Sequence, residues 1–254
     1  MSRATPWEEL AAELELWVAA DKPLSLWWRD DDATGDSAPL RQLLAFADRH
    51  RIPLAAAVIP AQLSPSLALR LRQHPSVSCL LHGYDHISYA PPQERKQELG
   101  AHRPPALVLS RLQQGDLRLR QELGDQYQSI LVPPWNRISP ELIAGLGEIG
   151  LKGLSTLGPR PANPPLPINN VHVDLIDWKL RRFAGIKRVI SQLLQHLRQR
   201  RLGEVDSLEA SGIMSHHLVH DTECWEFMEQ LLEQLSACPQ VRWPKIAHLF
   251  ERSP

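Results

Sequence analysis

The sequence predicts an α/β protein built on a parallel sheet, and three features carry that expectation. Short apolar runs alternate with segments of helical periodicity, the pattern of strand–helix–strand crossovers. Seven such units fit into about 230 residues, which suits a barrel or a barrel missing one strand. No internal repeat and no long linker divides the chain, so 1–254 is expected as a single domain.

Ser2 to Ala20 places Leu10, Leu14, Trp17 and Val18 at helical spacing behind a Thr5-Pro6 start, so an N-terminal helix is expected over 5–20. LSLWW (Leu24–Trp28) is an apolar run that meets charge, and its strand is expected to stop near Arg29. Pro39 to His50 reads as a helix with Leu40, Leu43, Leu44 and Ala47 on one face. IPLAAAVIP (Ile52–Pro60) is the second strand, Leu67 to His74 a short helix, and VSCLL (Val77–Leu81) a third strand that runs into His82. Pro91 to Gln126 is the longest polar stretch and holds one helix, Ala106 to Leu123. QSILVPP (Gln128–Pro134) is the fourth strand, Ile138 to Ile149 a helix, and LKGLSTLG (Leu151–Gly158) the fifth strand. Five prolines in Pro159–Pro167 make a stiff irregular loop. NNVHVDLIDW (Asn169–Trp178) is the sixth strand, Phe183 to Arg201 a basic amphipathic helix, and ASGIMSHH (Ala210–His217) the seventh strand. Cys224 to Ala237 is the last long helix, and VRWPKIAHLF closes the chain.

Lys and Arg number 28 against 29 Asp and Glu, so no general basic surface points to nucleic acid. The three cysteines are widely spaced and form no C-x-x-C, which argues against a disulfide framework or a thiolate zinc site and fits a reducing compartment. The first twenty residues lack the apolar core of a signal peptide. No run approaches the ~18 apolar residues of a membrane span. The expected location is therefore the cytoplasm, with no membrane partner. Oligomeric state leaves no signature.

Chemistry concentrates in clusters at the strand ends, where a parallel α/β fold places it. In RDDDA (Arg29–Ala33) three carboxylates would repel one another if buried and charged, and a bound dication removes that problem. Asp at a helix start is the competing explanation. In HGYDH (His82–His86) histidines four apart can lie on one helical turn and reach one ion, with Gly83 allowing a tight exit from the strand. Two unrelated surface histidines would give the same letters. SILVPPWN has an extended stretch, a Pro-Pro stop and a Trp. DLIDW (Asp174–Trp178) offers two carboxylates three apart, and GIMSHHLVHD sets three histidines after an apolar strand.

Taken together, these clusters resemble, in order and spacing, the polysaccharide deacetylase (NodB-homology) family, carbohydrate esterase family four. The matching residues are Asp31-Asp32, His82 with His86, Pro134-Trp135, Asp174 with Asp177-Trp178, and His216 or His217. The resemblance spans roughly Leu24 to Phe250. It implies a distorted (β/α) barrel with about seven parallel strands. It implies a metal-dependent hydrolase that removes an N-acetyl or other N-acyl group from an amino sugar, glycan or small amide. Asp32, His82 and His86 would hold a divalent metal, zinc first, with cobalt or another divalent ion also suited to such ligands. Asp31 would be the general base, and the Trp135 amide beside Pro134 would hold the oxyanion. His216 or His217 would be the acid, oriented by Asp174 or Asp177, with Ile213 and Met214 lining an acyl pocket.

Three departures from the family pattern matter. Arg29-Asp30 replace Thr-Phe before the Asp pair and Ala33 replaces Gly after it, so the register is open between Asp31-Asp32 and Asp30-Asp31. Val132 stands where the third motif carries an Arg, and Arg29 is the candidate to supply that charge. Of the two histidines, His217 is favoured because it shares parity with Ser215 and Ile213. The altered motifs also suit a non-catalytic carbohydrate-binding barrel, which would have no need to keep three metal ligands.

Overall fold

The computed structural model describes residues 4–251; the extreme ends of the expected domain, and Ser2 and Arg3 of the first helical segment, lie outside the described residues. The strands are β1 Leu24–Ala33, β2 Leu54–Val58, β3 Val77–His82, β4 Tyr127–Val132, β5 Gly153–Leu154, β6 Val173–Asp174, β7 Ile176–Asp177, β8 Arg182–Phe183, β9 Ser211–Ser215 and β10 Val241–Arg242. The helices are α1 Pro6–Ala19, α2 Ala38–His50, α3 Pro65–Arg72, α4 Pro105–Leu123, α5 Pro140–Gly145, α6 Ile186–Leu202 and α7 Thr222–Ala237. Their starts are written in the sequence. Thr5 and Glu8 form a capping box on α1, and Ser37, Ser64 and Asp221 cap α2, α3 and α7.

Seven parallel strands run in the order β5-β4-β3-β2-β1-β9-β6, with β10 added beside the start of β1. The two ends of this curled sheet meet through parallel bridges Leu154–Ile168 and Leu157–Val171, which gives the distorted (β/α) barrel expected from the sequence. Alternation sorts each strand between two cores. Leu26, Trp28, Ala56, Leu81 and Ile213 face the helices. Trp27, Ala55, Ala57, Leu80, Val132 and Met214 face the barrel interior, whose lower end is filled by Phe250, edge-on to Trp27 at 6.0 Å. Gly212 is required where β9 crosses close to the 170–171 segment: a Cβ there would lie 2.6 Å from the Asn170 carbonyl.

Several expected boundaries change. β1 does not stop near Arg29 but carries the whole acidic run to Ala33, because β2 and β9 flank it and pair its backbone on both sides. The fifth strand shrinks to two residues, and α5 to Pro140–Gly145. The sixth strand is broken. Its middle pairs with β9, while Ile176–Asp177 turns into an antiparallel hairpin with β8. HGYDH is not a helical turn: His82 ends β3, and Gly83 and His86 both have left-handed backbone, φ 58° and 59°.

Candidate metal centre

The site opens at the C-terminal end of the barrel, in a cavity of about 680 Å³ lined by Asp31, Asp32, His82, His86, Trp135, Asp174 and His216 among others. Strand alternation points Arg29 and Asp31 inward and Asp30 outward. It would also send Asp32 outward. Instead the β1–β2 register shifts between Asp30 and Ala33, and Asp32 adopts φ 69°. This bulge brings two successive carboxylates, Asp31 and Asp32, to one cavity.

His82 sits at the end of β3 with its Nδ1 2.9 Å from the Val132 carbonyl, which leaves Nε2 3.0 Å from Asp32 Oδ1. His86 Nε2 approaches the same oxygen at 3.2 Å. The three ligand atoms lie within 4.8 Å of one another. Two imidazole nitrogens and one carboxylate, with Nδ1 of His82 tied to a backbone carbonyl, are a donor set that fits a divalent ion. Burial would raise the Asp32 carboxyl, but the hydrogen bond and charge of His82 outweigh it and hold it well below the usual carboxylate range. Burial, then the neighbouring His82, lowers His86.

The strand-to-ligand loop has its own support. Glu98, 1% exposed, accepts from the Tyr84 amide at 2.7 Å and the His86 amide at 2.9 Å. Pro134 is buried and packs against Gly83, where a Cβ would meet its Cγ at 2.6 Å. Trp135 takes a left-handed backbone, φ 55°, and its ring lies 4.5 Å from that of His86.

Arg29 is fully buried beneath Asp31. Its Nε and Nη2 meet Asp31 Oδ1 and Oδ2 at 2.8 and 2.9 Å, a forked pair. Its remaining donors reach Ser155 Oγ at 2.8 Å and Asn136 Oδ1 at 2.6 Å. A positive charge thus stands beside Asp31 without an Arg in the fourth strand.

The two histidines after β9 divide. His216 lines the cavity and packs edge-on against Trp178 at 4.5 Å, and its Nδ1 has no partner among the described residues. His217 turns outward, where its ring Nδ1 and its backbone amide both bond Asp30. The preference for His217 is thereby reversed. His217 does share parity with Ile213 and Ser215, but that side faces the helices, whereas Met214 and His216 face the cavity. Ser215 likewise donates to Asp30, at 2.6 Å. Burial opposes charge on both partners, yet each holds the other ionised: the Asp30 carboxyl is lowered and His217 raised.

Asp174 lines the cavity, accepts from the Trp178 indole at 2.9 Å, and is raised chiefly by burial. Asp177 is not brought into the cavity; it accepts from the Lys179 amide at 2.9 Å and faces Arg188. Met214 reaches the cavity and Ile213 does not. Sequence reasoning missed Glu98, Asn136 and Ser155. Asn136 alone had a local signal, as the residue after Pro134-Trp135.

No family model matches the sequence, and no curated protein matches it. Solved structures do. A family 4 acetyl xylan esterase from Clostridium thermocellum in complex with a cobalt ion shares 13% identity over 89% of this chain and 89% of that one, with a TM-score of 0.54. A family 4 carbohydrate esterase from Streptomyces lividans in complex with acetate shares 14% over 91% and 97%, with a TM-score of 0.56. A CE4 family pseudoenzyme from Bacillus anthracis shares 12% over 91% of this chain and 66% of its own, also at 0.56. At such identities the likeness is one of fold, and the fold is that of the family 4 carbohydrate esterases.

Proposed function

We propose that this barrel is a metal-dependent deacetylase that hydrolyses the C–N bond of an N-acetyl or related N-acyl group on an amino sugar or small amide. The observation that carries the reading is the meeting of Asp32, His82 and His86 in the cavity that also holds Asp31, with Arg29 beneath it. Asp32 and the two Nε2 atoms would hold a divalent ion, zinc before cobalt on donor type. When bound, such an ion lowers the pKa of a water and polarises the acyl oxygen.

Asp31 is the general base in this reading. The Arg29 fork and the Ser155 and Asn136 contacts behind it hold its carboxylate at the cavity wall, where it would take the proton. The Trp135 amide would assist an oxyanion; the residue lines the cavity and has a left-handed backbone, φ 55°. His216 is the acid that protonates the leaving amine, with Asp174 close enough to influence it through charge. Trp178, Trp135 and Met214 offer apolar surface for a sugar ring and the acyl methyl.

The complete donor set speaks against a non-catalytic binding barrel, which has no use for three ligands and a held base. The three cysteines are free and buried, which suits a reducing compartment, and a cytoplasmic location is part of this proposal. Among the described residues no helix is long and apolar enough to cross a membrane. The test is acetate release from N-acetylated amino sugars by protein stripped of metal and reloaded with zinc or cobalt. Release should vanish on stripping and return on reloading. Retention of metal with no release from any N-acyl substrate would favour the binding barrel.

A further inference from the structure

Three cations from three separate segments line the same cavity: Lys96 from the loop after β3, Arg137 from the loop after β4, and Arg181 from the β7–β8 turn. None of the three has a carboxylate partner among the described residues; the one polar side-chain contact of Arg137 is to the Lys96 carbonyl, at 2.7 Å. The nearby carboxylates are engaged elsewhere. Glu94 pairs with His102, Asp177 with Arg188, and Glu98 with backbone amides. On the cavity floor, Asp31 is matched by Arg29, Asp32 by the two histidines, and Asp174 by the Trp178 indole.

The cluster also has a cost. Burial, and then the charge of neighbouring Arg95, lowers Arg137 below the usual guanidinium range. A chain with a net charge of −1 has no general surplus of cations to scatter here. Unpaired positive groups that converge on one concave site raise the local concentration of anions and bind them through charge-assisted hydrogen bonds. The cavity volume, about 680 Å³, lies within the usual range for small-molecule sites and exceeds what an acetamido group needs.

We propose that the substrate of this site is an N-acylated amino sugar that also carries an anionic substituent, a phosphate or a carboxylate, and that Lys96, Arg137 and Arg181 bind it. This deepens the deacetylase reading and rests on it for the acyl group alone; the anion site stands on the cations. The neutral part of the sugar lies against Trp135 and Trp178, and the acyl group points to Asp31 and His216.

The experiment compares N-acetylglucosamine with its 1-phosphate, its 6-phosphate and the corresponding uronate, using the metal-loaded protein. Binding is read by calorimetry and turnover by acetate release. The charged sugars are expected to bind about tenfold or more tightly than the neutral one, the size of one charge-assisted hydrogen bond. That ratio should shrink with added salt. It should fall toward one in Arg137→Gln, Arg181→Gln and Lys96→Gln; Lys96 and Arg181 are exposed, so their loss leaves the fold intact. The phosphate and carboxylate arms identify which anion is preferred. Equal binding of neutral and charged sugars, a ratio unchanged by all three substitutions, or no binding of any charged sugar overturns the inference. A charge preference in binding without acetate release sinks the deacetylase reading and leaves this one standing. Turnover without charge preference does the reverse.

Discussion

Asp30, Asp31 and Asp32 are chemically identical and adjacent, yet each has a different surrounding. Asp30 is locked to His217 and Ser215, Asp31 to Arg29, and Asp32 to the two metal-site histidines. Asp31→Asn is expected to lower kcat by about 10²–10⁴-fold while metal content stays at wild-type level. Loss of metal from that variant would make Asp31 a ligand. His216→Ala should lower the rate on a similar scale with metal retained, because its ring faces the cavity. His217→Ala should act on stability instead. It strands a carboxylate that is 1% exposed, and breaking a buried pair costs about 3–5 kcal/mol, readable by urea unfolding. A His217→Ala protein that folds as well as wild type but turns over as slowly as His216→Ala would contradict this division.

Two irregular stretches of backbone build the site from regular elements. The bulge at the end of β1 places Asp32, and the loop after β3 places His86, with φ 69° and 59° respectively. Glu98 holds that loop by its amides through both carboxylate oxygens, so Glu98→Gln keeps the shape but turns one acceptor into a donor facing an amide N–H. We expect zinc affinity to fall about 10–100-fold with little change in secondary structure, measured by competition with a chelator. Unchanged affinity would mean that the loop is held by other contacts. Gly83→Ala is more severe. Its Cβ would lie 2.5 Å from Glu98 Oε2 in a left-handed conformation, so both supports of the loop must shift. A stability loss of about 1–3 kcal/mol, together with weaker metal binding, is the expected result.

Across the whole molecule, acid should act through two histidines packed among the helices, His196 on α6 and His220 against Trp225 of α7. His196, 3% exposed, stacks on His172 at 3.3 Å; burial first, then His172 and Arg200, holds it down to about 2. His220, half-buried beside Trp225, is held down to about 4, chiefly by desolvation of its ring. An unfolded histidine takes up its proton near pH ~6.5. Between that pH and the folded values, the unfolded chain binds more protons than the native one. The stability these two contribute is therefore complete above about pH 6.5 and is lost as pH falls. Guanidinium unfolding from pH 7.5 to 5 should show this decline, and His196→Asn should make the slope shallower. An identical slope in the variant would remove His196 from the account.

Much of this was legible in the linear chain because periodicity and local chemistry are local. The alternation of apolar runs and helical segments, the Ser, Thr and Asp caps, and the order of the acidic and histidine clusters need no third dimension. They were enough for seven parallel strands and for a site at the strand ends. Parity along β9 was legible too, but not which parity faces inward, since that depends on how the sheet curls; hence His216 rather than His217 in the cavity. The helical-turn reading of HGYDH failed because the spacing of two histidines does not report the backbone between them, which here is pinned by Glu98, twelve residues beyond His86. Arg29 met Asn136 and Ser155 only through closure of the barrel, across 107 and 126 residues. The chain alone determined which residue types stand at the strand ends; tertiary structure decided which face each one takes and which partner holds its charge, because burial makes an unpaired charge costly and favours the arrangement in which Asp30, Asp31 and Asp32 each meet a basic side chain.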